Sequence, residues 1–181
     1  MFFVFAVMVA VTKLTDADLT DQENVPENGF FATTLDFVNQ NTANNTPKSL
    51  LFSISGLVPG GFQVETVRIF RKGQLGFAYQ VTPENFAGDM ILCQALEIMV
   101  LNNWQTQFEG KLTDLSYQGE IANDQVKDDL VLVLKLTDAN QALAAKSCVF
   151  DLKIQTVNDE EGSSFSDEEV LTNQVNTAVN W

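Results

Sequence analysis

Cys93 and Cys148 are the only thiols in a chain that contains no histidine. Two thiolates without imidazole partners cannot complete a tetrahedral zinc site, and without histidine there is no Ser-His-Asp or Cys-His machinery. Two roles remain for the pair. They are either a disulfide, which at this loop length contributes about 4 kcal/mol in an oxidising compartment, or two buried free thiols. Cys148 falls on the inward face of its segment, whereas Cys93 stands at the start of its own, and the pairing stays open on sequence alone.

The carboxylates suggest calcium, with Asp159-Glu160-Glu161 and Asp167-Glu168-Glu169 as the densest clusters. Neither follows the alternating oxygen spacing of an EF-hand loop, and both read as solvated charge. The sequon Asn44-Asn45-Thr46 runs directly into Pro47 and decides nothing. There is no G-x-S-x-G, phosphate-binding loop, H-E-x-x-H or Gly-rich dinucleotide turn, and no spacing singles out a carboxylate pair. The expectation is therefore a non-enzyme with no catalytic residue, cofactor, metal or small-molecule substrate.

The elements available to position these residues belong to a chain of 181 residues, 45% of them hydrophobic, enough for one packed domain. Ten Lys and Arg against 24 Asp and Glu give a net charge of −14. With a pI of about 4.1 and no basic cluster, nothing here would release counterions from a phosphate backbone, and nucleic acid is excluded as a partner.

Residues 2–11 (FFVFAVMVAV) are uniformly apolar but too few to cross a bilayer as a helix. They suit the core of a secretory signal, although no positive charge precedes them, and equally a very apolar strand. An acidic stretch follows, carrying Asp16, Asp18, Asp21, Glu23 and Glu27. From residue 30 onward, short apolar segments alternate with turn residues, the spacing of a sandwich or barrel. Strands are predicted over 31–38, 49–55, 63–71, 75–81, 91–101, 108–115, 130–136 and 148–155. Residues 63–71 and 75–81 read as a hairpin across Lys72-Gly73, and VPGG at 58–61 forces a turn. Residues 130–136 (LVLVLKL) read as a central strand covered on both faces. In 148–155, Cys148, Phe150, Leu152 and Ile154 point inward. A helical turn over 138–146 would take Asp138 as its N-cap. The stretch beyond 157 reads as an acidic polar tail, with Ser166 and Glu169 as the capping box of one short helix.

The order of these segments carries a resemblance. Residues 28–37 (NGFFATTLDF), with Asn28, Phe30, Ala32, Leu35 and Asp36 in the matching positions, resemble the N-x-F-x-A-G-T-L-D-L opening of the TasA/camelysin family of secreted matrix-fibre proteins, to which archaeal bundling-pilus subunits are related. Residues 17–23 (ADLTDQE) are similar to the start of the mature chain in that family. The turn containing Pro59 and Gly60 resembles its L-x-P-G-D turn, and residues 148–152 its closing strand. Thr33 stands where the family has Gly, and Gly61 where it has Asp. The resemblance implies a jelly-roll sandwich and a structural role in extracellular fibres that grow by donor-strand exchange. Members have also been labelled metallopeptidases, a reading that the lack of histidine opposes.

These readings combine into one expectation. The chain is an all-β, jelly-roll-like antiparallel sandwich with short helical turns in its loops. Residues 1–16 form a signal-like or donor-strand segment with Phe3, Phe5, Val7, Val9 and Val11 on one face, 17–157 the sandwich, and 158–181 the tail. It is secreted, meets a membrane only transiently during export, and polymerises with copies of itself. A monomeric cell-surface adhesion module is the rival reading.

Overall fold

The computed structural model describes residues 34–38, 50–72, 76–157 and 167–181. Ten strands lie among these residues: β1 (Thr34–Val38), β2 (Leu50–Leu57), β3 (Phe62–Lys72), β4 (Phe77–Gly88), β5 (Leu96–Asn102), β6 (Gln105–Lys111), β7 (Tyr117–Ile121), β8 (Lys127–Leu136), β9 (Ser147–Val157) and β10 (Glu168–Thr177). One helix, α1 (Met90–Ala95), joins β4 to β5, and 3-10 turns occupy Leu112–Asp114 and Gln141–Leu143. The strands form two five-stranded sheets, ordered β1-β3-β8-β5-β6 and β2-β10-β9-β4-β7.

Period-two alternation produces this arrangement. Val67 and Ile69 of β3, Ile98 and Val100 of β5, and Leu130, Leu132 and Leu134 of β8 leave the first sheet on one side. Tyr79 and Val81 of β4, Phe150, Leu152 and Ile154 of β9, and Val175 of β10 leave the second, and the two sets close into a single core. The fold is thus the all-β sandwich expected, and β9 holds Cys148, Phe150, Leu152 and Ile154 inward as its alternation predicts.

Several elements differ from expectation. Strands β3 and β4 are not a hairpin: β3 pairs with β1 and β8, while β4 pairs with β7 and β9 in the other sheet. Their apolar faces meet across the core, and alternation reports which face is apolar without naming the lateral neighbour. Residues 90–95, expected at the start of a strand, are helical, burying Leu92, Cys93 and Ala95 on one side. Of residues 108–115 only the part up to Lys111 is strand, and Leu112–Asp114 turns. β8 is central, but only Leu130, Leu132, Leu134 and Leu136 are buried, and its other face is half-exposed. The predicted helical turn is shorter, capped by Asn140, whose side chain accepts from the Ala142 N–H at 3.0 Å, while Asp138 accepts from the Asn140 N–H.

The largest correction concerns the expected tail. Glu168–Thr177 is neither loose nor helical but a strand inserted between β2 and β9. Asn173, Val175 and Thr177 are buried beneath it. Its pairing with β2 is parallel, an exception to the antiparallel arrangement expected. Polar residues hid this strand on both faces, Thr172, Gln174 and Asn176 outward and Asn173 and Thr177 inward.

Candidate functional site

Without a histidine or a motif of reactive residues, the features with functional potential are backbone edges and exposed side chains. Each sheet ends in strands whose outer N–H and C=O groups have no partner in the sheet, and natural proteins normally blunt such edges. Edge strand β2 is broken by a register shift against β10 and by Gly56 at φ 74°. Edge strand β6 is interrupted by a shift opposite Val100 and Leu101 and carries Glu109 and Lys111. Edge strand β7 is five residues long.

Strand β3 differs. Its second half, Arg68 to Lys72, pairs with β1. Its first half, Phe62 to Val67, pairs with β8 on one side, and no described strand lies on the other. This half is regular, without a bulge, and exposes Phe62 (67%) and Val64 (44%). On its inward side Glu65 is buried and accepts from the Gln63 amide at 2.5 Å. Its start is fixed by the Pro59-Gly60 turn. Gly60 takes φ 79° and donates its N–H to Leu136 O at 2.8 Å, and the Leu136 N–H donates to Gly61 O at 3.1 Å. A Cβ on Gly61 would stand 2.8 Å from Val58 O, so the turn has no room for the family's Asp at that position without shifting.

A second feature is the β5–β6 turn. Asn103 and Trp104 both have positive φ, 50° and 64°, as a two-residue primed hairpin turn requires. Glycine suits the second place, yet tryptophan occupies it, 86% exposed. Sequence reasoning did not single out this residue. The signal available was Asn103 at the midpoint of two short strands.

Cys93 on α1 and Cys148 on β9 form a disulfide, with Cα atoms 5.3 Å apart. It fastens the crossover from the second sheet to the first onto a central strand. Nearby, Asp89 accepts from the Ser147 N–H at 3.1 Å and pairs with Lys146 at 3.2 Å. The Ser147 N–H, helped by Lys146, holds the Asp89 carboxyl below the usual carboxylate range.

Of the sequence-predicted site residues, Leu35 and Asp36 lie on β1 opposite Arg71 and Phe70. Phe3, Phe5, Val7, Val9, Val11, Asn28, Phe30 and Ala32 lie outside the described residues, as do the sequon and the first acidic cluster. Asp167 opens β10, its N–H donating to Thr156 Oγ1 at 2.9 Å. Among the described residues no group of three or more metal-ligating side chains is gathered, and no helix is long and apolar enough to cross a membrane.

No protein-family model matches the chain, and no curated protein matches it. Among solved structures, it is similar to the CooA pilin subunit of enterotoxigenic Escherichia coli, with 11% identity and a TM-score of 0.43 over 82% of this chain and 99% of that one. It is similar to a PapD-like domain of human CEP192, with 7% identity and a TM-score of 0.42 over 80% and 85%. A third is AvmM, which catalyses macrocyclization in alchivemycin A biosynthesis, with 7% identity and a TM-score of 0.42 over 81% and 88%. Likenesses this loose assign no function.

Proposed function

We propose that this protein is a secreted structural subunit of an extracellular fibre, in which the apolar N-terminal segment of one copy pairs with the open half of β3 in the next. The observation that carries the reading is the regular edge from Phe62 to Val67, which no other described strand covers, whereas the other described edges are bulged, charged or short. The segment bearing Phe3, Phe5, Val7, Val9 and Val11 has the alternation such an edge accepts. Burying five apolar side chains yields on the order of 10 kcal/mol before ordering and association costs. Because donor and acceptor are different surfaces, repetition gives an open filament and not a closed ring. The disulfide agrees with an oxidising, extracellular setting.

Negative-stain microscopy of the purified chain at rising concentration, with and without residues 2–16, tests this. Filaments that vanish on deletion, and that a peptide of residues 2–13 suppresses in the full chain, support it. Polymerisation that persists without the segment overturns it.

The adhesion reading is favoured by Trp104, a strained and exposed aromatic at a hairpin tip. Trp104→Gly would relieve the backbone and abolish surface attachment if that reading holds. Attachment unaffected by the change removes its support.

A further inference from the structure

The outer faces of the two sheets are chemically unlike. On the second sheet the rows running across β4, β9 and β10 are Glu84-Asp151-Thr172, Thr82-Lys153-Val170 and Gln80-Gln155-Glu168. One of those nine residues is apolar, and Lys153 pairs with Glu84 at 3.2 Å. On the first sheet the rows across β3, β8 and β5 are Phe62-Lys135-Glu97, Val64-Val133-Met99 and Thr66-Val131-Leu101. Six of those nine are apolar, in one contiguous patch pointing away from the core. Water wets the second face at no cost and the first at a considerable one.

Charge separates the faces as well. The apolar patch is framed at both ends by ion pairs. Lys135 meets Glu109 at 2.7 Å and Glu97 at 3.7 Å, and Lys111 meets Glu97 at 3.2 Å. At the other end Asp129 is shared between Arg68 and Lys127. These pairs comprise four cations and three carboxylates, a balance of +1 in a chain whose total is −14. Two copies meeting by this face bring nearly neutral surfaces together, whereas the rows of the second sheet set Glu84, Asp151 and Glu168 against Lys153 and repel a copy of themselves.

We propose that the outer face of the β3-β8-β5-β6 layer is a contact between two copies of this chain, packed sheet against sheet. Four strands about 4.8 Å apart and about 25 Å long present roughly 500 Å². That is below the roughly 800 Å² per partner of a stable interface, so the association is weak and reversible in isolated subunits. The contact shares Phe62 and Val64 with the strand invoked above, but it uses their outward side chains and not the backbone edge, and it does not rest on that reading.

Sedimentation velocity on the full chain, across a concentration series at constant moderate salt, provides the test. Val133→Lys places a second cation among the apolar rows and Met99→Glu a carboxylate away from the β3 edge, while Val170→Lys alters the opposite face as a control. Circular dichroism checks that each variant is folded. Weakening of self-association by at least tenfold in both Val133→Lys and Met99→Glu, with Val170→Lys unchanged, supports the proposal. A wild-type chain that stays monomeric throughout overturns it, as does association that ignores both substitutions. Apolar-dye binding that rises on deletion of residues 2–16 in a monomeric chain would assign the face to the chain's own N-terminus, and also overturns it.

Discussion

The hydroxyl of Tyr79, on β4 of one sheet, donates to a carboxylate oxygen of Asp128, on β8 of the other, at 2.5 Å. Asn102 completes the link, donating its amide to both Asp128 oxygens at 2.9 and 2.8 Å and to the Tyr117 hydroxyl at 3.1 Å. Two strands from each sheet are thereby joined, through the Asp128 carboxylate and the Asn102 amide. Tyr79 is wholly buried, and burial, reinforced by Asp128, pushes its hydroxyl far above the usual tyrosine range, so it remains a donor.

Tyr79→Phe keeps the ring and removes the donor, and is expected to cost about 1–3 kcal/mol because a hydrogen bond to a charged, half-buried acceptor is lost. Gly119→Ala tests the same clamp sterically. A Cβ there would fall 2.3 Å from Tyr79 Cζ, so the ring must move and the inter-sheet bond with it. Urea unfolding of both variants should show comparable losses, with a double variant losing less than their sum. Full additivity would mean that the two residues do not act through one clamp.

Reduction of the Cys93–Cys148 bridge, which spans 55 residues, is expected to remove about 4 kcal/mol. The measurement is the denaturation midpoint with and without reductant, repeated on Cys93→Ser with Cys148→Ser. Because α1 carries the chain between sheets, hydrogen exchange in residues 90–95 should accelerate more than in β8. Equal midpoints would show that the crossover is held by packing alone.

Asn173 repairs the irregular parallel pairing of β2 with β10. Its carbonyl accepts from the Phe52 N–H at 2.8 Å and its amide donates to Leu171 O at 2.6 Å, with the side chain completely buried. Asn173→Leu fills similar volume but leaves a backbone N–H unpaired, for an expected loss of about 1–3 kcal/mol. Exchange protection should fall first at Leu51 to Ile54. Unchanged protection there would contradict the role assigned to this amide.

Stability should be level near neutral pH and decline in acid. The Ser147 N–H depresses Asp89, and the hydrogen bond from Arg68 depresses Asp129. At Glu97, burial pushes upward but is outweighed by Thr137 and Lys111, leaving the carboxyl below its usual value. Groups lowered in the folded state stabilise it above their unfolded value near 4, and that contribution is lost as pH falls through the folded values. These pairs are largely exposed, so the decline is shallow. Approaching the pI of about 4.1 also removes the mutual repulsion of subunits, as added salt screens it at neutral pH. Light scattering should rise under either condition before melting temperatures fall. Scattering indifferent to both would separate assembly from net charge.

The amino-acid order alone determined the fold class, because strict alternation in stretches such as Cys148 to Ile154 leaves a strand one buried face and one wet one. It also excluded histidine-based catalysis and made the chain acidic. Strand partners were not legible: β3 and β4 have matching patterns and adjacent positions, yet the core separates them into opposite sheets. β10 was hidden because only Asn173, Val175 and Thr177 of its length are fully buried, two of them polar and satisfied by distant backbone groups. The disulfide, the Tyr79–Asp128 clamp, the half of β3 without a neighbour among the described strands and the apolar outer face all arise from residues distant in sequence. Tertiary structure alone decided them, since period two specifies which way a side chain points but not what lies beside it.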